Sequence, residues 1–136
     1  MLFAERGGRV SDAMRAFRTF LGHSEMMAYL AMMGPTLLEL HRVLKVSGSI
    51  YLHCDPTASH YLEIALDAIF GPDRFLNEVT WKRSSAHSDT KQGMRCYDRI
   101  RDILLVYAKS HAQTRNPVYT PYTDRIPRVR GSTSGA

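Results

Sequence analysis

The stretch Gly48–Ser59, reading GSIYLHCDPTAS, constrains this chain more than any other. Ile50, Tyr51 and Leu52 form a short apolar run rich in strand-forming residues, bounded by Ser47-Gly48 before it and Asp55-Pro56 after it. Such a run reads as a buried strand over 49–54. Asp55-Pro56 is a helix-start signal: an Asp carboxylate accepts from unpaired N–H groups of the first turn, and a Pro at the first position gives up no donor the helix needs. Tyr61, Leu62, Ala65, Leu66, Ile69 and Phe70 then predict a helix from about 56 to 70 that is apolar over most of its circumference, and Gly71-Pro72 ends it. His53, Cys54 and Asp55 arrive together where the strand passes into the helix. In open α/β sheets ligands bind at that end, because loops and helix N-termini converge there.

The neighbouring segments fit the same layered class. Met26, Leu30, Met33, Leu37, Leu40 and Leu44 recur at alternating steps of four and three, which predicts a helix over 24–44 with Ser24 as N-cap. Pro35 cannot donate to the carbonyl of Ala31, so a kink or two abutting helices is expected. The methionines read as core filler. Phe75–Lys82 alternates, with Val79 and Trp81 on one side and Glu78, Thr80 and Lys82 on the other. Ile103–Tyr107 is continuously apolar, as in a more buried strand. Residues 1–23 are weakly patterned, with a thin stripe of Met14, Phe17 and Leu21. From His111 onward three prolines and a Gly/Ser end predict an extended basic tail over 111–136. The expected organisation is therefore a weakly structured segment 1–23, a domain over 24–110 and the tail.

Charge divides the chain. Residues 1–80 carry a net −2 and residues 81–136 a net +7, counting Lys and Arg against Asp and Glu. That asymmetry suggests a half facing a polyanion, although a solvated basic surface reads equally well from charge alone. About twenty residues with few apolar positions separate the last two strands. They carry Lys82, Arg83, Lys91, Arg95, Arg99 and Arg101, with Ser84, Ser85, His87, Ser88 and Thr90 among them. These are the groups that contact phosphate. Trp81 beside Lys82-Arg83 suits stacking on a base, but a Trp in an amphipathic strand reads first as a core residue.

Other chemistries are disfavoured. His53, Asp55 and His60 fit no standard metal spacing. Cys54 has no sharp turn to expose it as a nucleophile. Gly7-Gly8 alone is no phosphate loop. Two cysteines, Cys54 and Cys96, give no disulfide framework and suggest reduced thiols in a cytoplasmic protein. No apolar run approaches membrane-spanning length, and Met1–Val10 has no apolar core of a signal peptide.

Glu39–Lys45 (ELHRVLK), Gly48–Ser59, Phe75–Arg83 (FLNEVTWKR) and Asp102–Ser110 (DILLVYAKS) follow one another in the order of blocks found in amino-group DNA methyltransferases. From about Asp12 to Ser110 the chain resembles that family of bacterial and phage restriction-modification enzymes. The resemblance implies an α/β fold, the later half of a Rossmann-like, S-adenosylmethionine-dependent methyltransferase: helix, strand, helix and a closing β-hairpin with a long loop on the DNA side. It implies methyl transfer to the exocyclic amino group of adenine, less readily cytosine, and double-stranded DNA as partner in the cytoplasm. By position it implies an active-site wall of His53, Asp55, Thr57, Ser59 and His60. It implies DNA contacts from Trp81, Lys82, Arg83, Ser84, His87, Lys91, Arg95 and Arg99. No metal is implied. Two family motifs are missing. The catalytic Asp-Pro-Pro-Tyr, which clamps the amino group of a flipped base and stacks on it, is absent, and Asp55-Pro56-Thr57-Ala58 is not a copy of it. The Gly-rich cofactor loop is absent too. In the family's order these motifs belong before residue 1 and beyond residue 136. The expectation is a partial chain, inactive alone: a truncated gene, a gene piece or one portion of a split enzyme, whose missing portion would then be a partner. The alternatives are a non-catalytic DNA-binding module or an inactive gene remnant.

Overall fold

The structure, a computed structural model, describes residues 2–83 and 100–119, with the backbone alone for residues 2–6. Helices α1 (Leu2–Leu21) and α2 (Glu25–Val43) precede strand β1 (Ser49–Cys54) and helix α3 (Ser59–Phe70). A 3₁₀ turn at Pro72–Arg74 leads into β2 (Phe75–Lys82), and β3 (Arg101–Ala108) follows. The three strands form one sheet in the order β1-β3-β2, and both pairings are antiparallel.

Strand β3 is central and the most apolar: it is paired along both edges and packs one face on α3. Its period of two sends Ile103, Leu105 and Tyr107 toward α3, where all three are buried, and turns Asp102, Leu104, Val106 and Ala108 to the outer face. Leu62, Ala65, Leu66, Ile69 and Phe70 complete the contact from the helix side. Helices α1 and α2 pack on α3, adding Val10, Phe17, Met27, Leu30 and Leu37 to the same core. Tyr107 is fully buried, its ring tilted against Phe70 and edge-on to Phe75, and its hydroxyl donates to Asp67 Oδ1 at 2.6 Å. Burial, then that hydrogen bond and the Asp67 and Glu63 charges, push its hydroxyl pKa far above the ordinary tyrosine value.

Several details differ from the sequence reading. Residues 1–23 were expected to be weakly structured with a short helix at most; α1 instead runs for twenty residues. Among its described side chains Val10 and Phe17 are nearly fully buried in the core, and Met14 and Leu21 pack against it partly buried. In α2 Ser24 is the N-cap, its Oγ accepting from Met27 N at 3.2 Å. The buried face, however, is Met27, Leu30, Gly34, Leu37 and His41, rotated from the predicted stripe, and Leu40 is exposed. Gly34 lies on that face because α1 is close: a Cβ there would meet Met14 Sδ and Cε at 3.5 Å. His41 fills its place in the core edge-on to Phe70, with ring centroids 4.7 Å apart. Met27 is core filler as read, Met26 and Met33 are partly buried, and Met32 is exposed. The helix runs on through Pro35. Ala31 and Pro35 both lie on the exposed side, where water can take the carbonyl that Pro35 leaves without a donor.

Strand β2 alternates as read, yet all eight of its residues are exposed, for it is the sheet edge. Trp81 is therefore not a core residue: it stands 60% exposed on the outer face. At the end of the hairpin where residues 84–99 connect the strands, a backbone bond runs from Arg83 N to Ile100 O at 2.9 Å. At the other end β3 is sewn to the start of β1. Lys109 N donates to Gly48 O and Thr114 N to Ser47 O, both at 3.0 Å. The Lys109 ammonium reaches the carbonyls of Arg42 and Leu44 at the end of α2, where positive charge suits the helix dipole. Of the predicted tail, residues 111–119 hold neither helix nor strand, and 120–136 lie outside the described residues.

Candidate nucleic-acid interface

Two groups of side chains gather where β1 ends and β2 passes into residues 84–99. The first is the junction itself. Asp55 Oδ1 accepts from Thr57 N at 3.1 Å and from Ala58 N at 3.0 Å, and the Asp55 carbonyl accepts from Ser59 N at 3.1 Å. These bonds cap the turn of 56–58 rather than α3 itself: regular α3 starts at Ser59, three residues later than predicted, with Ala58 at its N-cap and no side-chain cap bond there. Ser59 is buried, its Oγ donating to Pro56 O at 3.3 Å, whereas Asp55, Thr57 and His60 are exposed. Asp55, Thr57 and Ala58 line a shallow hollow of about 320 Å³ with Met26 and Tyr29 of α2. Burial, then the nearby Cys54 and Asp55, raise the Tyr29 hydroxyl pKa. Cys54 points inward, 8% exposed. Burial first, then Asp55, Glu78 and Asp102, push its thiol up to about 11, so it carries no thiolate at neutral pH.

The second group lies on the outer face of the sheet. Asp102, register partner of Trp81, turns its carboxylate there with only 11% of the side chain exposed. His53 Nε2 meets Asp102 Oδ2 at 2.9 Å, and Arg83 donates to Asp102 Oδ1 at 3.3 Å. Burial alone would raise the Asp102 carboxyl; the hydrogen bonds from His53 and Arg83, with their charges, outweigh it and hold the carboxyl below its ordinary value. His53 and Arg83 remain 61% and 47% exposed. The arrangement places an anion underneath and two basic groups outward, with the Trp81 ring alongside on the same face.

Of the residues predicted to touch DNA, Trp81, Lys82 and Arg83 are exposed at this end of β2. Ser84, His87, Lys91, Arg95 and Arg99 lie outside the described residues. The sequence does not single out Asp102, since its partners are 49 and 19 positions away. The one local signal is an acidic residue at even spacing with Leu104 and Val106 in the most apolar strand.

The described residues do not by themselves make a site for S-adenosylmethionine. The hollow beside α2 offers one carboxylate, whose Oδ1 is committed to two backbone N–H groups, and the hydroxyls of Tyr29 and Thr57. Among the described residues no three His, Cys, Asp or Glu side chains converge as metal ligands, and no helix is long and apolar enough to cross a membrane.

Comparison with known proteins agrees with the block order in the sequence. The chain is 33% identical over 82 residues to the type II methyltransferase M.EcaI of Enterobacter cloacae, covering 60% of this chain and 18% of that protein. It is 33% identical over 88 residues to the type II methyltransferase M.KpnI of Klebsiella pneumoniae, covering 65% and 20%. It is 30% identical over 93 residues to the Mod subunit of the type III restriction-modification enzyme StyLTI of Salmonella typhimurium, covering 68% and 14%. The chain thus spans a fifth or less of the length of these relatives. The family model described as DNA methylase, that of the N6 and N4 methyltransferases, matches residues 11–132, and the chain belongs to that family.

Proposed function

We propose that this chain is the DNA-facing part of a restriction-modification methyltransferase that moves a methyl group from S-adenosylmethionine to the exocyclic amino group of adenine, in preference to cytosine. The observation that carries the reading is the exposed run Trp81, Lys82 and Arg83 at the connecting end of the hairpin, beside His53. Cations there neutralise phosphates, and an exposed indole offers a stacking surface, a pairing that recurs in nucleic-acid grooves. The names of the relatives, two type II methyltransferases and the Mod subunit of a type III restriction-modification enzyme, favour restriction-modification as the setting, and a cytoplasmic site of action is part of the same proposal. On this reading Ser84, His87, Lys91, Arg95 and Arg99 extend the contact with duplex DNA. His53, Asp55, Thr57, Ser59 and His60 border the reacting base.

The Rossmann-like architecture belongs to the same proposal. β1, α3, β2 and β3 are its closing portion, with β3 reversed between its neighbours. Chemistry requires an amino-group clamp and a cofactor cradle, and neither Asp-Pro-Pro-Tyr nor a Gly-rich loop occurs in the sequence. The remaining portion of the enzyme, in the same polypeptide or a separate one, supplies both.

The test has two arms. The 136-residue chain is incubated with labelled S-adenosylmethionine and mixed-sequence duplex DNA, then again with a polypeptide carrying the two motifs. The first arm is expected to give no incorporation above a heat-killed control and the second to restore it. Methylation by the chain alone refutes the division of labour. In a direct binding assay, Arg83, Lys91 and Arg95 changed together to Ala are expected to weaken a steeply salt-dependent interaction. Unchanged affinity in that variant moves the DNA contact elsewhere.

A further inference from the structure

We infer that Asp102 is a positioning residue for DNA: through one carboxylate it holds Arg83 and His53 side by side as a phosphate-binding pair. The inference rests on the DNA-facing reading above, and it adds a residue of the opposite charge to that face. An acidic group on a surface meant for a polyanion ordinarily weakens binding by repulsion. Three observations set Asp102 apart. Its side chain is 11% exposed, so its charge is withdrawn from the surface. Each of its oxygens is committed to a different basic partner, His53 at 2.9 Å and Arg83 at 3.3 Å. Those partners are the exposed members of the cluster, at 61% and 47%.

The placement follows from the sheet. Asp102 lies on the central strand, directly opposite Trp81 on one side and diagonal to His53 on the other. Arg83 is the last described residue before 84–99, and its backbone N–H is already fixed to Ile100 O. With the guanidinium tethered as well, that side chain loses little freedom on meeting a phosphate, which lowers the entropic cost of binding. A planar guanidinium presents its donors as a fork, so fixing one edge sets the direction of the others. The ligand class is therefore the backbone phosphate of duplex DNA.

Electrostatics and positioning predict opposite signs, and this decides the experiment. Asp102→Asn and Asp102→Ala both raise the net charge of the chain by one. If charge alone acts, both bind a mixed-sequence duplex more tightly, and equally so. If Asp102 positions, both bind more weakly at low salt, Ala more than Asn because Asn keeps one acceptor oxygen. The expected losses are about 10-fold for Ala and about 3-fold for Asn. The slope of log affinity against log salt should fall by about 1, as for one lost phosphate contact. The measurement is fluorescence anisotropy with the full 136-residue chain at several salt concentrations, with near-UV circular dichroism on each variant to establish a native core. A third comparison separates positioning from general loosening. In a His53→Ala, Arg83→Ala background, Asp102→Ala has nothing left to position and should no longer weaken binding. Tighter or unchanged binding by Asp102→Ala in the wild-type background overturns the inference and leaves the DNA-facing reading standing. So does an undiminished loss in the double-Ala background. Failure of the wild-type chain to bind duplex at low salt refutes the DNA-facing reading and this inference with it.

Discussion

Replacing Asp55 by Ala separates the two roles open to the residue at the strand–helix junction. Its carboxylate accepts from Thr57 N and Ala58 N at 3.1 and 3.0 Å, so Ala removes one acceptor from two backbone donors. Thr57 is exposed and its N–H can turn to water; Ala58 is buried, but its N–H keeps a weaker bond to the Asp55 carbonyl at 3.3 Å. Both facts place the cost in the middle of the usual range for a lost cap, about 1 kcal/mol. Unfolding entropy near 2.1 cal/mol/K per residue gives about 0.3 kcal/mol/K for a chain of 136 residues, so the melting temperature should fall by about 3–4 °C. Asn accepts through the same oxygen position, so Asp55→Asn should melt within about 1 °C of wild type. The assay is thermal unfolding followed by far-UV circular dichroism, with methylation measured in parallel in the completed enzyme. If Ala melts with wild type, the capping argument is wrong. If Asn is as stable as wild type yet inactive, Asp55 carries chemistry beyond its cap.

Three further outcomes are expected. Tyr107→Phe keeps the ring packing and deletes the hydroxyl bond to Asp67; with a charged acceptor that is only partly buried it should cost about 1.5 kcal/mol, read by urea denaturation, and no loss would mean the bond adds nothing net. In a Cys96→Ser variant, Cys54 should resist iodoacetamide at pH 7.5 and react only on adding denaturant, because burial and its carboxylate neighbours hold the thiol near pKa 11; rapid labelling of the native chain would refute that. Because the Asp102 carboxyl titrates below its ordinary value in the fold, its stabilisation is full above the ordinary carboxylate range and lost as pH falls through the folded value. The melting difference between wild type and Asp102→Asn should therefore shrink below about pH 4, and a constant difference down to pH 2 would exclude the linkage.

Two of the strands were legible because local pattern and final environment agree; β1, expected to be buried, is instead an edge strand with Tyr51 exposed, because β3 pairs with it on one side only. Ile103–Tyr107 reads as a buried strand and is one, and Phe75–Lys82 reads as alternating and sits at an edge. Ser24 announces its cap through a side chain acting three residues away. What escaped depends on distant partners. Val10 and Phe17 are buried by α3 and α2, so no periodicity within residues 1–23 could weigh them. Met26 and Met27 are equal in apolarity, and only the approach of α1 at Gly34 decides which of the two turns inward. Trp81 looked like core because indole is large and apolar, but nothing among the described residues covers the outer face beside it. His53 and Arg83 were candidates from the outset as separate entities; the carboxylate that joins them comes from a third strand.

The bond from Arg83 N to Ile100 O has a consequence for how residues 84–99 can vary. It brings the two residues that flank 84–99 onto a single rung of the hairpin. With the ends pinned, doubling the number of residues between them adds only about 0.6 kcal/mol of closure entropy. Length and composition can then drift, or be exchanged wholesale, while β2, β3 and the helices behind them keep their register. A stretch attached in this way can evolve at a different pace from the fold that carries it.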